Sequence, residues 1–223
     1  MSTGFAYLDI IFFAMVAAFV LYRLGSVLGR RTGHERRRPS RFDAAAKQER
    51  VVPLERPAAS PAEEAAIGNP GDPRVKAGLT EIRLADPSFD LAHFLEGARL
   101  AFEMIIGAFA KGDKETLRGL LAPEVYTSFA EAIDARAAKG QTLMTEVVAV
   151  RKAEVIEAGM QGTRARITVR FESEQISALR DAEGHLLEGN PSKVEEVVDI
   201  WTFERDVRSR DPNWLLVETR VPD

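Results

Sequence analysis

The chain contains no cysteine. That excludes disulfides, thiolate nucleophiles and cysteine-ligated metals, and it suits a reducing compartment. Histidine is nearly as scarce: His34, His93 and His185 are the whole supply, and no two of them have the spacing of a metal-binding pair. There is no G-x-S-x-G, no H-E-x-x-H, no phosphate loop and no dinucleotide fingerprint, so the usual local signatures of hydrolases, zinc proteases, NTPases and nicotinamide enzymes are missing. Basic charge is also lacking over most of the chain. Residues 51–223 carry 21 Lys/Arg against 30 Asp/Glu, and an acidic body cannot neutralise a phosphate backbone, which argues against nucleic acid as a partner.

The positive charge is concentrated at the other end. Residues 21–41, "LYRLGSVLGRRTGHERRRPSR", hold Arg23, Arg30, Arg31, Arg36, Arg37, Arg38 and Arg41 against a single acid, Glu35. The block follows the one long apolar run, Phe5 to Tyr22, in which only Asp9 is charged. Eighteen residues at ~1.5 Å each span about 27 Å, close to the ~30 Å hydrocarbon core of a bilayer. No basic residue precedes the run and no small-residue cleavage site follows it, so the expectation is an uncleaved transmembrane helix within residues 1–28, not a signal peptide. Retention of the arginines on the cytoplasmic side puts the N-terminus outside and the rest of the chain inside, with the block against anionic lipid headgroups.

Residues 29–78 read as a basic tract and linker. Six of the eleven prolines fall between Pro39 and Pro73, and a Pro/Ala-rich segment with little to bury is expected to be a disordered tether. Within it, residues 41–50 could form a short helix and residues 51–57 a docking peptide; plain spacer is the simpler reading of each.

From residue 79 the pattern becomes globular. Leu91, Phe94, Leu95, Ala98, Phe102, Ile105 and Phe109 recur at three- and four-residue spacing and predict one amphipathic helix stopped at Gly112. Asp113 then serves as an N-cap for a short helix, and "APEVYTSFAEAIDARAAKG" predicts another, with Pro123 in its first turn and Gly140 as its terminator. Beyond Gly140 the period changes to two: Ala165, Ile167, Val169 and Phe171 alternate with the polar residues Arg164, Arg166, Thr168, Arg170 and Glu172, and three further strands flank this one. Helices followed by strands indicate α+β, with the helices across one face of a curved four-stranded antiparallel sheet.

These blocks carry a resemblance. "DPSFDLAHFLEGARLAFEMIIGAFAKGDKETLRGLLAPEVYTSFAEAI", with the change of period near Gly140, resembles the C-terminal domain of the Tim-forty-four-like family, relatives of the mitochondrial inner-membrane protein-import motor adaptor. "LGSVLGRRTGHE" behind an anchor resembles its membrane-bound, TimA-type bacterial members. The resemblance implies a cone-like domain of nuclear transport factor two or cystatin-like shape over residues 79–223, an apolar pocket, membrane association and a scaffolding role. It also implies that "GLTEIRLAD" contacts anionic lipid through Leu79, Ile82 and Arg83. Phe94, Phe102, Phe109, Tyr126, Phe129, Phe171, Trp201 and Phe203 are the candidate pocket or partner-binding residues.

Candidates for catalysis are few. His93 lies beside Phe94 on the long helix, and Tyr126 is the only tyrosine outside the predicted anchor. Asp199 shares the strand parity of Val197, Trp201 and Phe203, though the simpler expectation is a solvent-facing carboxylate paired with a neighbouring Arg. No cofactor or metal is implied. The sequence therefore predicts a non-enzymatic adaptor at a bacterial inner membrane, presenting its domain to a translocon, a chaperone or another membrane protein, in the service of protein translocation or membrane-protein quality control. The alternatives are a module holding lipid or another small apolar ligand in the pocket, or an enzyme of the isomerase or dehydratase type. Fractionation tests the anchor: the full chain is expected in the membrane pellet and the chain lacking residues 1–28 in the supernatant, folded. A full chain recovered as a soluble species contradicts this reading.

Overall fold

The computed structural model describes residues 72–220 and Pro222. The predicted anchor, the arginine block from Arg23 to Arg41 and nearly all of the linker, including residues 41–50 and 51–57, lie outside the described residues. Among the described residues no helix is long and apolar enough to cross a membrane.

Among the described residues four helices come first: α1 (Pro73–Ala85), α2 (Leu91–Lys111), α3 (Lys114–Leu120) and α4 (Pro123–Ala138). Three of them start at an aspartate whose carboxylate accepts an otherwise unpaired first-turn N–H: Asp72 from Arg74 at 2.8 Å, Asp90 from His93 at 2.7 Å and Asp113 from Thr116 at 3.1 Å. α4 has no side-chain cap and starts instead at Pro123, whose missing N–H costs nothing in a first turn. Gly112 ends α2 at φ 72°, a left-handed conformation that carries little penalty only without a Cβ. α1 begins at Pro73, inside the predicted linker, because Asp72 and Pro73 together make a helix start.

Five strands follow: β1 (Thr142–Gln161), β2 (Arg164–Arg180), β3 (Leu186–Gly189), β4 (Glu195–Asp206) and β5 (Leu215–Arg220). The sheet is antiparallel in the order β1-β2-β4-β5, and β3 pairs with the end of β2. The expectation of four strands is thus corrected to five. β3 lies in "DAEGHLLEGNP", whose glycines, Pro and Asn read as a turn; four exposed residues are too few for an alternating pattern to register. The register of β1 against β2 shifts at three places, and such bulges bend a strand and increase its twist.

One face of this sheet is covered by helices. Ala165, Ile167, Val169 and Phe171 of β2 are fully buried, and their cross-strand neighbours on β4, from Asp199 to Arg205, point the same way. Phe102 of α2 stacks on Phe171 at 4.5 Å and meets Trp201 at 4.6 Å, while Phe94 sits edge-on to Phe203 at 6.1 Å and Trp214 at 4.8 Å. A ring buried like Phe102 contributes roughly 1.5–3 kcal/mol by area alone, and each well-oriented aromatic pair about 0.5–1.5 kcal/mol more. The open face is polar. Arg151 forks onto Glu174 at 2.8 and 2.7 Å, and Arg166 reaches Glu204 at 3.8 Å and Glu218 at 3.5 Å.

α1 packs on β1 through Val75, Gly78, Leu79 and Ile82. This corrects the expectation that Leu79 and Ile82 face a membrane: at 6% and 0% exposure both are in the core, and Leu84, at 79%, is the apolar residue α1 leaves outside. The fit is tight. A Cβ on Gly78 would lie 1.9 Å from the Ala158 carbonyl oxygen, so Gly78→Ala must push α1 off β1. Chemical denaturation is expected to show a loss of about 2 kcal/mol or more, as for other overpacked cores; an unchanged midpoint would contradict the docking of α1.

Candidate functional site

The eight predicted aromatics divide into three groups. Phe94, Phe102, Phe171, Trp201 and Phe203 form one connected cluster, joined by Phe89 and Trp214 at the start of α2. Phe109 and Phe129 form a second, with ring centroids 5.1 Å apart, between the C-terminal end of α2 and the middle of α4. Tyr126 stands apart from both: Arg118 lies over its ring and donates to its hydroxyl at 3.0 Å. The first group is buried, whereas Phe109, Tyr126 and Phe129 are half-buried. Only the half-buried three can be reached without moving a helix.

Arg136 ties the second group together. Its guanidinium lies over the Phe109 ring and donates to the carbonyls of Phe109 at 2.7 Å and Ala110 at 3.1 Å. These carbonyls lie in the last turn of α2, where that of Phe109 also accepts the Gly112 N–H at 3.2 Å and where a cation complements the helix dipole. Burial lowers the Arg136 pKa, yet guanidinium stays protonated through the physiological range. At the opposite end of α2, Arg205 pairs with Asp86 and lies over Trp214. The bond from the Ser88 hydroxyl holds Asp86 below its ordinary pKa, with Arg205 adding to it.

The unexpected residue is Asp199. Instead of facing solvent beside an Arg, it lies directly across from Phe171 on the helix-covered face, half-buried, with no ion pair to any described residue. Parity placed it correctly; the assumption of a compensating arginine did not hold, because the strand arginines near it project from the other face. Burial raises its pKa to about 6, opposed by a hydrogen bond from Gln175. The Gln175 amide also donates to Ser173 Oγ at 2.9 Å, and Ser173 and Gln175 are themselves 2% and 9% exposed. Sequence reading missed these two; their odd numbering in β2, the same as that of Phe171, was the available signal.

The other polar features are superficial. His93 is exposed on the first turn of α2. Asp181, Glu183 and His185 gather ligand atoms within 4.8 Å on an exposed turn, where the His185 N–H donates to Asp181 at 2.7 Å and closes that turn. An open cleft of about 600 Å³ lies between the start of α4 and the β4–β5 connection, lined by Arg164, Glu204, Asp206, Asp211 and Asn213 among others. None of the eight aromatics lines it.

Asp199 has a measurable cost. Its folded pKa lies above that of an unfolded Asp, so the fold binds the proton more tightly; the penalty is absent below about pH 4, grows between pH 4 and 6 and reaches about 3 kcal/mol above that. Asp199→Asn is therefore expected to melt several degrees higher than the parent at pH 7.5, with the gap closing as pH falls to 4. A gap that stays constant across this range, or a less stable variant at pH 7.5, would contradict the burial.

The Tim44-like domain family matches residues 75–221, from α1 to the end of β5. Among curated relatives, the mouse mitochondrial import inner membrane translocase subunit TIM44 is 24% identical over 143 residues, 63% of this chain and 32% of that protein. The Drosophila melanogaster large ribosomal subunit protein mL45 is 26% identical over 149 residues, covering 65% of this chain and 41% of the relative. An uncharacterized protein of Rickettsia prowazekii is 24% identical over 139 residues, covering 62% and 56% respectively. The chain thus spans about a third of the length of the mouse relative. Because the match takes in every helix and strand described above, the chain belongs to the Tim44-like family.

Proposed function

We propose that the chain is a membrane-anchored, non-enzymatic adaptor that presents its folded domain to a protein partner at the cytoplasmic face of a bacterial inner membrane. Family membership across residues 75–221 is the observation that carries this reading, because the mouse relative named above is a subunit of an inner membrane translocase. The apolar run Phe5–Tyr22 and the arginine block behind it support the anchor and its orientation.

In this reading residues 1–28 are the anchor and residues 29 to about 72 a tether, with α1 opening a domain of cone-like shape. A flexible tether of some 45 residues has a root-mean-square reach of roughly 35–40 Å. That concentrates a partner near the bilayer without fixing its orientation. The contact surface is the side of α2 and α4 that carries Phe109, Tyr126 and Phe129, since aromatics with one accessible edge can bury area on a partner at little entropic cost. Phe94, Phe102, Phe171, Trp201 and Phe203 hold this surface from beneath. Protein translocation or membrane-protein quality control is the process such an adaptor would serve.

Site-specific photocrosslinking in cells tests the assignment. A photoreactive phenylalanine at Phe129 or Tyr126 of the full chain is expected to give a discrete protein adduct, and one at Glu174 or Arg220 on the open face to give none. Adducts confined to lipid, or equal from both faces, would overturn it.

A further inference from the structure

The side of α2 turned away from the sheet is unusually apolar for a solvent-facing surface. Leu100 and Met104, one helical turn apart there, are 57% and 51% exposed. Arg99 and Glu103 stand beside them, both exposed, and among the described residues neither has an ion-pair partner. With Arg N-terminal to Glu, the two are also in the weaker orientation for pairing with each other along one helix. Gly97 and Gly107 lie on the same side, and a Cβ on either would meet nothing within 4 Å. Glycine inside a helix is destabilising relative to alanine, and packing within the chain gives neither one a reason.

This face is complementary to itself. At 3.6 residues per turn, Arg99 and Glu103 fall on one flank of it, Gly97 and Met104 on the other, and Leu100 and Gly107 near the midline. When a second α2 lies antiparallel on the first, with the two-fold axis passing near Phe102, Leu100 comes beside Met104, Gly97 near Gly107 and Arg99 beside Glu103. The symmetry makes each contact twice. The glycines give the two backbones room to close to the separation of packed helices, roughly 8–10 Å. A parallel pair would instead set the charged flank of each helix against the apolar flank of the other. An anionic lipid surface would repel Glu103, and an unrelated protein would have to match both charges in the right order; a second copy supplies them by symmetry.

We propose that the outward face of α2 is a homodimer interface, in which two copies pack antiparallel through Leu100 and Met104 and are set in register by reciprocal Arg99–Glu103 pairs. The contact is a single helix pair, so the dimer is a weak one, suited to copies crowded together. It is separate from the surface that carries Phe109, Tyr126 and Phe129, so one copy can hold a second copy and another protein at once. The interface stands whether or not the adaptor role is correct.

The chain has no cysteine, so introduced ones report without background. Two full-length copies with different tags are produced in the same cells, one carrying Leu100→Cys and the other Met104→Cys, and the intact cells are treated with diamide. A disulfide-linked pair bearing both tags is expected, whereas Glu157→Cys in both copies, on the open face of the sheet, should link only at background level. Adding Arg99→Glu to both copies is expected to lower the linked fraction about tenfold, because two exposed contacts turn from attraction to repulsion. Glu103→Arg in both should do the same. Arg99→Glu in one copy with Glu103→Arg in the other restores both pairs and should restore the link, which also shows that each variant folds. The result is read in whichever fraction the linked chains occupy, so a failed anchor is told apart from a failed dimer. Absence of the mixed link, equal linkage through Glu157→Cys, indifference to charge reversal, no recovery in the complementary pair, or linkage of Leu100→Cys to a different protein in place of its own copy would each overturn the proposal.

Discussion

The stacking of Phe102 between Phe171 and Trp201 is the contact on which the rest of the domain is built. It fixes α2 across β2 and β4, and the remaining elements take their places from that helix. α2 runs for 21 residues, long enough to place Phe94 against Phe203 and Trp214 at one end and Phe109 against Phe129 at the other. Gly112 then reverses the chain so that α3 and α4 return, and Leu121 bridges to Leu216 of β5. Arginines secure both ends of the long helix: Arg205 through Asp86, and Arg136 through the terminal carbonyls. Each is paired with a ring, so each adds packing as well as charge.

Much of this was legible in the sequence because the two periods are strong. The α2 stripe, the Asp113 cap, the Pro123 start, the stops at Gly112 and Gly140 and the alternation of β2 all coincide with observed elements. The misses have physical reasons. β3 has too few residues to show a period, and its "LLEG" sits among turn formers. α1 has only Val75, Leu79 and Ile82 as a stripe, and its docking depends on Gly78, a residue that propensity counts against a helix. The membrane contact that the family resemblance implied for Leu79 and Ile82 fails for a different reason: both are buried in the core, where α1 packs on β1.

The candidate site was legible in part. Parity put Asp199 on the apolar face, but only the register shows that the nearby arginines project from the other side and that Gln175 takes their place. Among the eight aromatics, spacing could not distinguish the five that fill the interior from Phe109, Tyr126 and Phe129, whose accessible edges depend on how α4 lies beside α2. The division matters for function. A buried cluster holds the surface in place, and an accessible one can meet a partner.

The central claim is that this Tim44-like domain works by holding another protein at a membrane. Native mass spectrometry of the full chain, gently extracted from the cells that produce it, tests this most directly because protein and lipid companions are weighed together. The account predicts one protein companion at fixed stoichiometry. Recovery of the chain alone, or with lipid as its sole companion, would contradict it.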